Sequence, residues 1–437
     1  MKKMLFTLLA LILMLTLAAC NSNSGQNGGQ ASGSPADSAD SGATSGEKVK
    51  LKLAFKGTGG IYAEPDTFLA DFYKANPDIE IEPIYIPADD WDQYLNKIQA
   101  MIAAGNSPDV VRVATEGVRL FVDQQLAVPL DSFIDKYPEI AEANADAEPR
   151  VQQSLIIDGK TYGYAFDWNN IVTHFNTTML ADADLPIPPM DWSKDDFLRY
   201  AQQLTTEKDG QKVFGFAVPT SYFAVSAWLF NNGASILNDN MTESTIDSPQ
   251  AVEVIQFLQD LVYKYQVAPV PPPKQDNTQQ ITSGQVAMVS SGRWPFAAYQ
   301  NNGFTTVDVQ KLPKFSTQTD IIGTGSWVVL QKSKHQEEAF KLTGYMSSPG
   351  TQTLMLSNYS NQASVSVMAS EMPKSIAKNW QAFSQVSDDA RPVEAPKSYT
   401  ELQGIFDRAM SQIYSSQTDV KSVLQKAKEE MDAALAK

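Results

Sequence analysis

The segment Val49-Lys50-Leu51-Lys52-Leu53-Ala54-Phe55 carries apolar residues with a period of two, which predicts a β-strand. A helical pattern opens at Pro65, and residues 79–86 alternate again as a second strand. Residues 91–102 place apolar side chains on one helical face, and residues 108–113 read as a third strand. This order predicts an α/β fold with a parallel sheet covered by helices, whose ligand binds beyond the carboxyl ends of the strands.

Length and composition narrow the class of protein. The chain has 437 residues, which is too long for one simple core and indicates two domains. The net charge of −16 disfavours nucleic acid as a partner, because an acidic surface repels phosphates. The chain has one cysteine and two histidines, His174 and His335. These are too few for a disulfide framework and offer few ligands for a metal site.

The N-terminal segment has the pattern of an export signal. Lys2 and Lys3 precede an apolar run that ends in Leu17-Ala18-Ala19-Cys20. This ending resembles that of bacterial lipoproteins, which implies a signal peptide over residues 1–19 and a lipid on Cys20. The alternative is an ordinary signal peptide beside an incidental cysteine. Residues 20–46 are rich in Gly and Ser and predict a flexible linker at the extracytoplasmic face of the cell membrane.

Five groups of short motifs follow along the chain. They are Ala103–Val111; His174–Thr177 with Leu185-Pro186 and Asp191–Phe197; Asn232–Ala234 with Asp247–Ala251; Ser283–Met288 with Gly292-Arg293-Trp294; and Gly323–Val329. In this order they resemble the extracellular solute-binding proteins of ABC importers, in the sugar-binding group that includes maltose-binding protein. The resemblance covers residues 49–350.

The resemblance implies a two-lobed periplasmic-binding-protein fold with parallel-rich sheets, discontinuous lobes and a hinge. We expect lobe 1 to comprise residues 47–168 and 306–348, and lobe 2 residues 169–305 and 349–437. The implied function is capture of a sugar or oligosaccharide in the interlobe cleft and its delivery to an ABC permease, whose ATPase is a separate partner. We expect no cofactor, no metal and no reaction on this chain.

The resemblance also implies ligand-binding residues. Glu116 follows the third strand where the family has a sugar-binding carboxylate; the alternative is a carboxylate that stabilises a helix N-terminus. Asn169 matches a polar sugar contact, and Trp168 beside it is flanked by polar residues; the alternative for both is packing at the hinge. Trp294 matches a tryptophan that stacks on sugar, with a surface anchor as the alternative.

Further candidates are weaker. Tyr222 lies in a region where the family carries aromatic sugar contacts, and Ser326 and Trp327 belong to a Gly-rich strand that lines the family's cleft. Arg293 is a candidate for bonding ligand hydroxyls or carboxylates, with a surface Asp as the alternative partner. Thr58 follows the first strand and offers a hydroxyl to the ligand.

The sequence argues against some alternative functions and leaves others possible. The chain departs from maltose-binding protein at Val113 and Gly117, so maltose itself is not the expected ligand. GxSxG, HExxH and GxxxxGK[ST] motifs are missing, which argues against an enzyme. A peptide or polyamine as ligand, or a role as ligand sensor for a membrane kinase, remains an alternative with the same fold.

Overall fold

The computed structural model of the protein describes residues 48–57, 65–88, 91–208, 210–272, 275–356 and 360–437. The signal peptide, Cys20, the linker and Thr58 lie outside these residues, so the predictions for them are not tested here. No helix in the described residues is both long and apolar enough to cross a membrane.

The strands of the described residues follow the alternating patterns of the sequence. They are β1 (Val49–Lys56), β2 (Ile79–Ile86), β3 (Val110–Ala114), β4 (Ile156–Ile157), β5 (Lys160–Thr161), β6 (Ala165–Asn169), β7 (Val172–Asn176), β8 (Thr206–Lys208), β9 (Gln211–Ala217), β10 (Val286–Ser291), β11 (Val307–Lys311), β12 (Ile321–Val329), β13 (Asn361–Gln362) and β14 (Arg391–Pro392).

Several helices begin at a capping side chain; Ser193 and Asp196, for example, form a capping box before α8. The helices are α1 (Pro65–Ala75), α2 (Trp91–Ala103), α3 (Thr115–Asp123), α4 (Asp131–Lys136), α5 (Pro138–Ala143), α6 (Pro149–Gln153), α7 (Thr177–Asp182), α8 (Lys194–Gln203), α9 (Tyr222–Phe230), α10 (Pro249–Tyr263), α11 (Asn277–Thr282), α12 (Phe296–Asn301), α13 (Gln336–Ser347), α14 (Pro349–Leu356), α15 (Val365–Glu371), α16 (Gln381–Ser384), α17 (Tyr399–Ser416) and α18 (Val420–Leu435).

Two larger sheets organise the chain. The first has the order β13-β6-β12-β3-β1-β2, with β14 paired to β12, and β1 runs parallel to both β2 and β3 as the sequence predicts. The second has the order β11-β7-β10-β9-β8. Only β9 and β10 pair in parallel there, so this sheet is mostly antiparallel and not the parallel-rich sheet that was predicted. Antiparallel neighbours need no helical crossover, which suits strands that enter from the other lobe.

The chain passes between the sheets at three places. β6 ends at Asn169 in the first sheet and β7 begins at Val172 in the second, close to the predicted crossing. The chain returns between β11 and β12, and it leaves again after β14, since α17 packs in the hydrophobic core beside the second sheet.

Two of the predicted lobe assignments need correction for individual strands. β11 was assigned to lobe 1, but it pairs antiparallel with β7 of the second sheet. β13 and β14 were assigned to lobe 2, but they pair with β6 and β12 of the first sheet. Short strands of this kind follow their hydrogen-bonding partner, which local sequence does not identify. The division into lobes as a whole stays a prediction.

A buried ion pair ties three strands of the first sheet together. Nη2 of Arg112 on β3 lies 2.5 Å from Oδ1 of Asp167 on β6, and both side chains are buried. β12 runs between them, with Gly325 opposite Asp167 and Ala114. A Cβ atom at position 325 would overlap the carboxylate and the guanidinium, so glycine is required where the ion pair crosses the strand.

We predict that Gly325→Ala lowers the free energy of unfolding by about 3 kcal/mol or more, because the new methyl group forces the buried charges apart. Urea unfolding at neutral pH measures the change. Gly350→Ala in α14 is the matched control, since a Cβ there meets no atom within 4 Å, and we expect it to stay within about 1 kcal/mol of wild type. Equal effects of the two substitutions would contradict the steric role of Gly325.

Candidate functional site

Glu116 lies at the carboxyl end of the parallel strands, as the second residue of α3. Its side chain is buried, and its Oε2 accepts no hydrogen bond from the residues described here. Burial raises the pKa of this carboxyl, while its own backbone N–H and the charge of Arg112 act in the opposite direction. A buried acceptor without a partner is unfavourable, and the ligand-binding role of Glu116 stays a prediction beside its position in the first turn of a helix.

Tyr222 and Tyr399 both lie in the hydrophobic core beside the second sheet. Tyr222 begins α9 and Tyr399 begins α17, and their rings meet edge to face at 5.2 Å between centroids. Burial raises the pKa of the Tyr399 hydroxyl, and the negative charge of Glu116 adds to this effect. Tyr222 and Tyr399 thus form one buried aromatic pair. Tyr222 is almost fully buried, and its hydroxyl donates to the carbonyl oxygen of Glu394 at 3.2 Å.

Among the predicted site residues that the structure describes, Trp294 is the most exposed, with 46% of its surface accessible. Its six-membered ring lies against Gly292, where a Cβ atom would overlap it. The backbone at Gly292 therefore packs against the ring, and part of the remaining ring surface is accessible to solvent. A preformed aromatic surface of this kind can stack on the apolar face of a ligand.

The residues next to Trp294 hold it in place. Oδ1 of Asn169 accepts from the backbone N–H of Arg293 at 3.2 Å, and Nδ2 of Asn169 lies 3.4 Å from Oγ of Ser360. Nη1 of Arg293 donates to the carbonyl oxygens of Ser360 (2.5 Å) and Leu356 (3.4 Å). These contacts join the end of β10 to the segment that leads into β13.

Five of the predicted ligand contacts are buried and bonded or packed within the protein; one is Tyr222, as described above. Arg293 is 1% exposed and its guanidinium bonds backbone carbonyls, so it supports Trp294 and does not present donors to a ligand. Trp168 is equally buried and donates to the carbonyl oxygen of Gln362. Ser326 donates to the carbonyl oxygen of Tyr164, and Trp327 packs in the first-lobe core. Successive side chains of a strand point to opposite faces of the sheet. Both faces are packed at Trp168 of β6 and at Ser326 and Trp327 of β12, which the sequence motifs do not reveal.

Sequence reasoning missed several residues of this region. Arg112 and Asp167 left a signal, because each is a charge within an apolar strand. Tyr399 and Glu394 gave no such signal in the sequence. Tyr399 begins an ordinary amphipathic helix, and Glu394 precedes it. Oε2 of Glu394 accepts from the backbone N–H groups of Ile236 and Leu237, both at 3.0 Å.

Two cavities of the described residues lie away from this cluster. One of about 820 Å³ borders the β8–β9 hairpin and α7, and one of about 430 Å³ lies between α1, α5 and α13. Neither contains a residue of the Glu116–Trp294 region. Within the described residues no group of three or more His, Cys, Asp or Glu side chains is placed to hold a metal ion.

Comparison with known proteins identifies the family. A family model described as bacterial extracellular solute-binding protein matches residues 67–384, and the chain belongs to this family. A binding protein of Brucella abortus (strain 2308) is 25% identical over 380 residues, covering 84% of this chain and 88% of the relative. An arabinooligosaccharide-binding protein of Halalkalibacterium halodurans is 24% identical over 234 residues, which cover 49% of this chain and 51% of that protein.

The fold has a close counterpart among solved structures. An ABC substrate-binding protein from Listeria monocytogenes in complex with cycloalternan superimposes with a TM-score of 0.80 at 23% identity, covering 89% of this chain and 99% of that one. This likeness confirms the predicted two-lobed fold.

Glu394 gives the site region a measurable pH dependence. Burial raises the pKa of its carboxyl to about 7, although the two backbone N–H donors and Arg391 oppose this. The folded state therefore retains a proton that the unfolded chain loses near pH 4.5. Its contribution to stability is complete below pH 4.5 and is lost as the pH rises through 7, by up to about 3 kcal/mol.

We predict that Glu394→Gln removes this dependence, because the amide does not titrate. Urea unfolding of wild type and variant from pH 4.5 to 8 gives two curves that should diverge as the pH rises. Glu429→Gln, on the exposed face of α18, is the control and should follow wild type throughout. Parallel curves for wild type and Glu394→Gln would refute the assignment.

Proposed function

We propose that this protein is the lipid-anchored substrate-binding component of an ABC importer, which captures a sugar or oligosaccharide between its lobes and delivers it to a membrane permease. The observation that carries the proposal is the exposed Trp294 ring supported on Gly292. A pyranose has an apolar face that fits an aromatic ring and hydroxyls that donate to carboxylates. Glu116 offers a buried acceptor for such a hydroxyl.

The relatives support the same ligand class. One is named for arabinooligosaccharide binding, and the structural counterpart was solved with cycloalternan. A ligand held between the lobes would satisfy the buried Oε2 of Glu116. A ligand that binds the closed form more tightly shifts the equilibrium toward it, and the permease can recognise that form.

We expect thermal unfolding of residues 47–437 to identify the ligand. In a panel of mono- and oligosaccharides, with peptides and polyamines as controls, a ligand at 100 times its Kd adds about 2.7 kcal/mol of stability. A response only to a peptide or polyamine would overturn the sugar assignment.

Trp294→Ala should weaken binding of the responding sugar by about 2 kcal/mol, since the stacking surface is lost. Titration calorimetry measures the change. Unfolding without ligand should stay as in wild type, because the ring is half-exposed, and Trp294→Phe should retain part of the affinity. Unchanged affinity in Trp294→Ala would make this residue a surface anchor.

The lipid anchor is tested separately on the full chain. We expect the mature protein to partition into the detergent phase of a Triton X-114 extract and the Cys20→Ser variant to remain in the aqueous phase, because the thiol is the lipid attachment point. Wild type in the aqueous phase would contradict anchoring through Cys20 and leave ligand binding unaffected.

A further inference from the structure

The second sheet has one edge at the lobe junction and an opposite edge away from it. β7 begins at Val172, directly after the crossing from β6, and ends at Asn176. β10 runs antiparallel to β7, so its first residue Val286 lies beside the end of β7, while Ser291 pairs with Val172. From Val286 to Ser291 the strand spans about 17 Å, and only then does the chain reach Trp294. A site at the start of β10 is therefore separate from Trp294.

The cavity of about 820 Å³ lies at this opposite edge, and we call it the distal cavity. Its walls come from the end of β7 with α7, the β8–β9 hairpin, the turn between α11 and β10, and the segment before β11. Backbone hydrogen bonds join these walls. The N–H of Thr177 donates to the carbonyl oxygen of Thr306 at 2.9 Å, and that of Phe214 donates to Gln285 at 3.0 Å. Pockets of about 300–1,000 Å³ commonly bind small molecules, so the distal cavity has the size of a ligand site.

Asn176 supplies a fixed polar group to the wall of the distal cavity. It lines the cavity although only 7% of its surface is exposed. Its Oδ1 accepts from the backbone N–H groups of Thr178 at 3.1 Å and Met179 at 3.3 Å, which holds the side chain as the N-cap of α7. Its Nδ2 donates to no acceptor among the residues that the structure describes. The cap therefore leaves one oriented amide donor for a molecule in the cavity.

Most of the other polar groups of the lining are neutral amides and hydroxyls. They include the side chains of Gln203, Gln211, Gln285, Thr206, Thr282 and Thr306. The charged lining residues are Asp182, Lys208 and Lys212, and Nζ of Lys212 lies 5.0 Å from the ring centroid of Phe214. One carboxylate thus stands beside two lysines, one of which already contacts an aromatic ring. This lining lacks the cluster of cations that a polyanion requires.

Apolar groups complete the lining of the distal cavity. Leu204 belongs to the hydrophobic core beside the second sheet. Phe304 is partly buried and meets the ring of Tyr299 edge to face at 5.3 Å between centroids. A sugar ring carries C–H groups on its faces and hydroxyls around its edge, so apolar and amide groups side by side match both parts of such a molecule.

We propose that the distal cavity is a second carbohydrate site, which binds a neutral mono- or disaccharide independently of the site at Trp294. Sugar hydroxyls donate and accept hydrogen bonds at the same time, as the amides and hydroxyls of this lining do. The inference goes beyond the proposed function, because binding at the far edge of the second sheet requires neither closure of the lobes nor a permease.

The experiment is saturation-transfer difference NMR on the full chain in a zwitterionic detergent without a sugar head group. The probes are D-glucose, D-galactose, L-arabinose and maltose, with inorganic phosphate as the charged control, followed by its ³¹P line width. The double variant Gln211→Ala/Gln285→Ala removes two exposed amides of the distal cavity. We expect Trp294→Ala to retain binding of at least one sugar, and the double variant in that background to weaken it at least fivefold. Gln412→Ala, an exposed amide of α17, is the matched control and should leave it unchanged.

Each other result overturns a different statement. Unchanged sugar binding in Gln211→Ala/Gln285→Ala, with binding lost in Trp294→Ala, refutes the distal site and leaves the proposed function intact. Phosphate broadening that the double variant abolishes, without any sugar signal from the cavity, refutes the neutral ligand. Sugar binding that depends on the two glutamines alone supports the distal site and refutes the role of Trp294. Melting curves without ligand, compared with Gln412→Ala, show whether a loss of binding comes from misfolding.

Discussion

The ion pair between Arg112 and Asp167 is the contact on which the rest of the structure depends. It joins β3 to β6 across β12, and these strands come from three distant parts of the chain. Glu116 follows β3 within two residues of its end, and Asn169 is the last residue of β6. A buried charge pair is stable only in one geometry, so it also sets the positions of the site residues attached to those strands.

Aromatic side chains of this protein occupy two kinds of environment. Most pack edge to face in the cores, as Trp228 does against Phe197 at 5.2 Å between centroids. Trp294 differs because 46% of its surface stays accessible. In the proposed function this ring is the surface on which the ligand stacks.

The carboxyl groups of Glu116 and Glu394 bear on how ligand binding is coupled to closure of the lobes. Glu116 is buried at the start of α3, and the Glu394 carboxylate accepts from the backbone N–H groups of Ile236 and Leu237. Burial raises the pKa of both groups. A sugar that satisfies Glu116 would remove part of the cost of closing the lobes around it, which is how binding can drive closure.

The sequence by itself determined the parallel strands β1 to β3, the starts of several helices and the family. These follow from local patterns and from short motifs, because hydrophobic periodicity and turn chemistry act over a few residues. Only the tertiary structure decided that Arg293 supports Trp294, that Ser326 and Trp327 face the core, and that β11 pairs with the second sheet. It also brought Arg112 and Asp167 together over Gly325. The physical reason is that strand partners and side-chain burial are set by contacts between segments far apart in the chain, which local patterns do not encode.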